Sequence, residues 1–508
     1  MPPETPVPAE AAPPPARPPV KPERRRLAVG AAGAAVLLGS IDAYVLVSVL
    51  VDMIGDLDIP VNHLERATPL VTGYLLGYIA GMPLLGRVSD RFGRRIVIHV
   101  CLAAFAIGSV VSAVSQDLAP LVAGRALQGL AGGALLPVTM ALAADLFTAR
   151  RRAVVLGWVG AAQELGAVLG PLAGAGIAAL VGWRGIFWIN LPLALLAALA
   201  VHFALPSERP RKDARIDFLG GGLLAVALAL FTVGLYNPEP EDAVLPAWGP
   251  ATIGAGLAVL VLFAFQQRRS RVRLLDPDGV RWTPYAASLV AGAAAGAVLM
   301  VTLVDTQLLA QTLLGLDSAG GALLLMWFLV GLPLGALAGG AVAARLGERV
   351  PSIAGFAAAA AAFAWIARTV GDADPRPEAG LACAGLALGL TIAPLSSAAL
   401  RTVPEDRHGT AAAFAVVARM MGMLIGVAAL TSWSLHRFQE STADLDTPLP
   451  FGVPEAEFLE RQAVYLEALD RALAAQYADV FTAAAVVCLA GVLASVLLPG
   501  RAGVTSAV

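Results

Sequence analysis

Four ionisable residues, Asp42, Arg125, Glu164 and Arg419, stand inside long apolar runs of this chain. A charge at the middle of a bilayer costs several kcal/mol, so such a residue reads by default as functional. The acid Glu164 lies in GWVGAAQELGAVLGPLAG (157–174), among Gly157, Gly160, Gly166, Gly170 and Gly174, with Pro171 after Gly170. Glycine and proline are tolerated in spanning helices whose neighbours press close. A buried acid that can meet a buried base suggests reversible protonation; packing against a partner helix is the alternative. Other chemistries find no residues. Cys101, Cys383 and Cys488 are scattered without metal spacing, and the five histidines form no H-E-x-x-H pair. There is no G-x-S-x-G turn. Only Lys21 and Lys212 are lysines, and neither follows a glycine, so no phosphate loop for ATP exists. No enzyme, metal site, cofactor or nucleic-acid partner is expected.

The elements that carry these residues follow from composition. The 508 residues are 58% hydrophobic and 14% charged, with mean hydropathy +0.74. These values exclude an ordinary soluble protein. Hydropathy predicts fourteen spans: 27–51, 67–86, 95–114, 119–144, 153–178, 185–205, 217–236, 250–266, 284–306, 319–343, 351–369, 379–400, 409–434 and 476–498. Residues 1–26, rich in Pro and Ala and ending in three arginines, read as disordered and too apolar-poor to pack. The run after them is too long for a signal peptide. With the N-terminus inside, 26 of the 35 Lys and Arg fall on the inner side, seven on the outer and two within spans. That bias predicts cytoplasmic termini at both ends.

A repeat sets the organisation. GRVSDRFGRR (86–95) aligns without gaps on GAVAARLGER (340–349), pairing Gly86, Arg91, Gly93 and Arg95 with Gly340, Arg345, Gly347 and Arg349 at an offset of 254. The chain therefore divides into a disordered N-terminus (1–26), a six-helix half (27–205), a two-helix linker (206–283), a second six-helix half (284–498) and a tail (499–508). Parallel halves around a midplane site describe a secondary transporter.

These residues resemble the major facilitator superfamily. GRVSDRFGRR carries Gly86, Asp90, Arg91, Gly93 and Arg94 at the places of its loop motif between helices 2 and 3. GRALQGLAGG (124–133) matches the fourth-helix motif through Arg125, Gln128 and Gly129. The series Gly157, Gly166, Gly170, Pro171 matches the fifth-helix antiporter motif, and WRGIFWINLP (183–192) is similar to the 14-helix drug:proton antiporter branch. Within it, YNPEPEDAVLP (236–246), VLMVTLVD (298–305), APLSSAALR (393–401) and VVARMMGMLIGVAAL (416–430) resemble mycobacterial-type triacylglyceride exporters. The resemblance implies an all-α membrane fold of 14 helices in the bacterial inner membrane, powered by the proton gradient, exporting neutral lipid to a periplasmic lipid-binding lipoprotein. A monomer is expected. Glu164 departs from the antiporter motif, where a neutral residue is usual.

Roles follow from depth. Glu164 stands about 11 residues into its span and Arg419 about 10, roughly 16 Å from the inner surface at 1.5 Å per residue. The repeat offset carries Glu164 to Ala418, next to Arg419. The two are expected to pair across the cavity, with protonation of Glu164 releasing the pair. Asp42 and Arg125 suggest a second pair, Asp42 being the other candidate proton carrier, whereas Asp145 and Asp305 read as solvated rim residues at span ends. Asp90, near arginines and a helix N-terminus, reads as a latch closing the inner side, or else as an ordinary loop anchor. Ala344 stands where it would repeat, so one latch is expected. From Pro454 a single helix runs into span 14, and 435–475 forms a periplasmic helical extension. Phe458, Gln462, Tyr465, Leu469 and Leu473 share one face of it, either as a lid or as a hand-off post for lipid. Few acids and 6% aromatic content favour a neutral cargo over organic cations. A multidrug:proton antiporter is the alternative, and a non-transporting scaffold or receptor the alternative of another class.

Overall fold

A chain this apolar has to satisfy its backbone hydrogen bonds within each segment. The computed structural model does so with helices. It describes residues 22–500 apart from 46–48, 50–52, 54–55, 58–67, 206–216, 236–244, 271, 275–277, 372–375, 443–444, 446–447, 449–450 and 452–453. The expectations for 1–21, for 206–216 and for 501–508 lie outside the described residues. The helices are α1 (Pro22–Val45), α2 (Thr68–Phe92), α3 (Arg94–Val114), α4 (Leu118–Leu146), α5 (Ala149–Val181), α6 (Trp183–Ala204), α7 (Phe218–Leu235) and α8 (Gly249–Arg269). They continue with α9 (Trp282–Thr312), α10 (Ser318–Leu346), α11 (Arg349–Thr369), α12 (Pro377–Arg401), α13 (His408–Gly426), α14 (Ser432–Thr442) and α15 (Glu455–Val496). Thirteen spans among the described residues are long and apolar enough to cross a membrane, and α2 lies in the same bundle. No strand forms among them; a lone bridge from Gly347 to Gly500 ties the chain end to the α10–α11 turn.

The repeat seen in the loops extends through the helices. Gly77, Gly81, Gly86 and Gly93 have counterparts at Gly331, Gly335, Gly340 and Gly347, all at the same offset. In the first half this row lets α2 lie against α4; in the second it lets α10 lie against α12. The contacts leave no room for a side chain. A Cβ on Gly77 would stand 2.1 Å from the Ala126 carbonyl, and one on Gly335 2.2 Å from that of Leu386. Gly93 (φ 93°) and Gly347 (φ 83°) turn the chain into the next helix in a conformation other residues rarely adopt. The linker helices stay peripheral, α7 packing on α2 and α8 on α7.

The same glycine row closes the arginine-rich end of the bundle, the end that the charge bias predicts to be the inner one. A Cβ on Gly86 would stand 2.6 Å from the Gly409 carbonyl of α13, and one on Gly340 2.5 Å from the Ala153 carbonyl of α5. Each half thus offers one repeated glycine to the other. These close approaches make the α2–α13 and α10–α5 crossings the inner seam.

The thirteenth span, expected over 409–434, is not one unbroken α-helix. A π-turn, Val427–Thr431, separates α13 from α14. It follows Gly422 and Gly426, where α13 is pressed on α9 so closely that a Cβ at Gly422 would meet the Ala293 carbonyl at 1.9 Å. Such single π-turns absorb a local misfit in a helix. Helix α15 is continuous over 42 residues, about 63 Å at 1.5 Å per residue, twice the roughly 30 Å of a hydrocarbon core.

Candidate functional site

Helices α5 and α13 face each other across the axis, and each carries one charge at mid-length. Arg419 donates from Nη2 to Glu164 Oε1 at 2.6 Å. Glu164 is 4% exposed. This pair joins the two halves. Its position is fixed from both sides: Gly166 and Gly170 press α5 onto Ser40 and Tyr44 of α1, and Gly296 of α9 lies against the Arg419 carbonyl, where a Cβ would come to 2.0 Å. Gly157 and Gly160 instead face the second half, against Ala336 and Ile392. Pro171 lies inside α5 without ending it. Tyr44 and Tyr78 are within electrostatic reach of the pair.

A second pair lies wholly in the first half. Asp42 Oδ2 accepts from Arg125 Nη1 at 2.7 Å, both side chains being almost fully buried. Asp42 Oδ1 accepts from Asn190 Nδ2 at 2.7 Å and from Gln128 Nε2 at 3.2 Å. The Arg125 guanidinium lies 4.3 Å from the centre of the Tyr74 ring, a cation–π contact strengthened by burial. Sequence reasoning assigned no role to Asn190 or Tyr74; a polar Asn inside the apolar run of α6 was the available signal. The two pairs differ in kind. Asp42 has three side-chain donors among the described residues. Glu164 has one among the described residues, from the opposite half.

At the inner end, Asp90 Oδ1 accepts from the Gly409 amide at 2.9 Å, and Oδ2 accepts from the Thr410 amide at 3.1 Å and hydroxyl at 3.0 Å. The carboxylate thus caps the first turn of α13, where unpaired amides favour an anion. Arg94 bridges Asp90 (2.6 Å) and Asp145 (3.2 Å), and His408 Nδ1 lies 2.9 Å from Asp145. Asp145 is therefore not the solvated rim residue expected but a partly buried member of this cluster, since α4 and α13 meet there. Arg91 stays apart, over the Phe92 ring at 5.3 Å. In the second half Ala344 replaces the acid, and Glu348 pairs instead with Arg401 and Ser397 of its own half. Asp305 also departs from the rim expectation. Helix α9 runs on to Thr312 and leaves it 0% exposed.

The central cavity lies between α4, α5, α9, α10, α12 and α13. Its walls are mainly aliphatic, with Gln163, Ser288, Thr391 and Ser396 as polar members and Arg419 as the charged one. At the outer end Arg184 donates to Asp56 and to the Ser115 carbonyl, and holds the Asp56 carboxyl below the usual carboxylate range. On the extension, Arg437 of α14 meets Asp479 of α15 at 3.5 Å, forming a helical hairpin. Phe458, Tyr465, Leu469 and Leu473 are half-buried on it, while Gln462 is exposed. The large apolar residues the described part of the 435–475 extension leaves in the open are Phe451, Leu459, Val464 and Leu466.

A cavity between two repeated halves is transporter architecture, and residues 32–427 match the model of the Major Facilitator Superfamily. The chain belongs to that family; it is a multi-pass membrane transporter and not an enzyme. It is 49% identical over 499 residues to the triacylglyceride transporter of Mycolicibacterium smegmatis, covering 94% of this chain and 88% of the relative. The probable triacylglyceride transporter of Mycobacterium leprae is 47% identical over 495 residues, covering 94% and 97%. In fold it is similar to the crystal structure of the human organic anion transporter MFSD10 (TM-score 0.60, 19% identity, 94% and 100% covered). It is also similar to the proton:xylose symporter XylE (TM-score 0.60, 16% identity, 91% and 95% covered).

Proposed function

We propose that this protein is a proton-coupled exporter that moves neutral glycerolipid, triacylglyceride, from the inner membrane toward the periplasm and outer envelope. The observation that carries the coupling is the 2.6 Å Glu164–Arg419 contact between halves. Protonating Glu164 removes one charge of a buried pair and with it the attraction holding α5 to α13 at mid-depth. Arginine keeps its charge throughout. Asp42, with three donors, is the weaker candidate for the proton. Asp90 closes the inner side as the latch, and its release opens the cavity to the cytoplasm. No cofactor takes part; the proton gradient is the energy source.

The cargo reading is supported by the names of relatives at 47–49% identity and by the aliphatic cavity walls. Their one charged member, Arg419, would repel the organic cations of a multidrug antiporter. The hairpin of α14 and α15, with Leu459, Val464 and Leu466 exposed, would pass lipid to a periplasmic lipid-binding lipoprotein. In this reading the protein acts as a monomer in the bacterial inner membrane, with both termini cytoplasmic. The test is lipid analysis of purified protein. Triacylglyceride should co-purify with the wild type and be depleted in Glu164→Gln; cationic dyes bound in its place would overturn the cargo assignment.

A further inference from the structure

Helix α5 has the central cavity on one side and a second hollow on the other. The second is a crevice of about 720 Å³ between α1 and α5, walled by Gly30, Gly33 and Leu37 on one side and Val155, Trp158 and Ala162 on the other. Its volume is in the range of ligand sites, ~300–1,000 Å³. Along α5 it extends from Arg151 to Ala162, roughly 16 Å at 1.5 Å per residue, one leaflet of a ~30 Å core. Trp158 is 63% exposed, so the crevice opens sideways to the bilayer. Glycine acts differently here than higher up α5. At Gly166 and Gly170 the backbones of α1 and α5 touch, whereas Gly30 and Gly33 face open space, with nothing within 4 Å of an added Cβ.

The mouth is cationic. Arg26 and Arg151 line it, and Arg25 with Thr148 lines an adjoining hollow. Neither Arg26 nor Arg151 has an acidic partner among the described residues, and the nearby acid Asp145 is taken by Arg94 and His408. Unneutralised arginines at a membrane surface attract anionic headgroups. An aliphatic groove one leaflet deep accepts an acyl chain. A neutral triacylglyceride would satisfy the groove and leave the arginines without a counter-charge.

We propose that this crevice binds an anionic phospholipid, its phosphate between Arg26 and Arg151 and an acyl chain along Gly30 and Gly33. The site is separate from the transport cavity but shares a wall with it. Val159 lines both, five residues before Glu164. A bound chain would therefore bear on the helix that carries the proposed proton site.

The test is native mass spectrometry of the full-length protein with phosphatidylglycerol and, separately, phosphatidylcholine of equal chain length. Phosphatidylglycerol should be retained more tightly. Replacing both Arg26 and Arg151 by Ala should weaken it about 25-fold, roughly fivefold per arginine. Gly33→Leu, whose side chain enters open space, should displace it while leaving the thermal melt unchanged. Inorganic phosphate at millimolar concentration should not compete. Equal retention of the two lipids, unchanged phosphatidylglycerol binding in both variants, or displacement by phosphate alone would overturn the assignment.

Discussion

Asp90→Asn isolates the inner latch. The carboxylate accepts three hydrogen bonds from Gly409 and Thr410 of the other half, and bonds to a charged group are each worth ~1.5–3 kcal/mol. An Asn with its oxygen in the Oδ2 place keeps both Thr410 donors, but its amide then faces the Gly409 N–H and the charge that strengthened all three bonds is gone, a loss worth about two such bonds. Taking the low end, the closed state loses ~3 kcal/mol, about a hundredfold in its ratio to the open state. An equilibrium of 99:1 would become about even. Arg94 keeps Asp145 as a partner, which limits any general destabilisation. Electron-electron spin distances between cysteines replacing Phe92 and Val350 read the change directly. Both positions are exposed near inner helix ends, one in each half. The natural Cys383 is exposed and must be replaced, whereas Cys101 and Cys488 are buried. The variant should show a second, longer distance of comparable population. A distribution identical to wild type would refute the latch.

Three further outcomes follow from the packing. Gly340→Leu puts a side chain 2.5 Å from the Ala153 carbonyl; transport should fall at least tenfold at normal expression, because the α5–α10 seam cannot close, and full activity would argue against that seam. Asp42→Asn leaves Arg125 buried with a weakened partner, and breaking such a pair costs about 3–5 kcal/mol; a clear drop in the melting temperature is expected, and an unchanged melt would show the network to be structurally idle. Deleting 440–470 should stop lipid reaching an acceptor lipoprotein while the remaining helices stay folded; unimpaired delivery would make the hairpin a mere lid.

Much of this architecture could be read before any coordinates. Apolar runs of membrane length fixed the helices, and the gapless match of 86–95 on 340–349 revealed the halves. Depth counting brought Glu164 and Arg419 together because both helices start at the same surface. What escaped depended on contacts between segments far apart in sequence. His408 stands 263 residues from Asp145, so no spacing announces that cluster, and a rule placing acids at span ends in water put Asp145 on the wrong side. Asp305 was misplaced because hydropathy ended its span near 306, whereas α9 continues through a mixed polar and apolar stretch, Gln307 to Thr312. The π-turn after Gly426 answers to the pressure of α9, which the sequence of α13 does not record. The glycines of the fifth-helix motif were visible, but not that Gly157 and Gly166 serve opposite partners.

Proton coupling through Glu164 is tested most directly in liposomes holding the purified protein, with triacylglyceride in the membrane, an acceptor on one side and an imposed pH gradient. Wild type should move lipid when the gradient is present and stop when it is collapsed. Glu164→Gln should show no dependence on the gradient at equal protein content. Gradient-driven lipid transfer by Glu164→Gln at the wild-type rate would contradict the account.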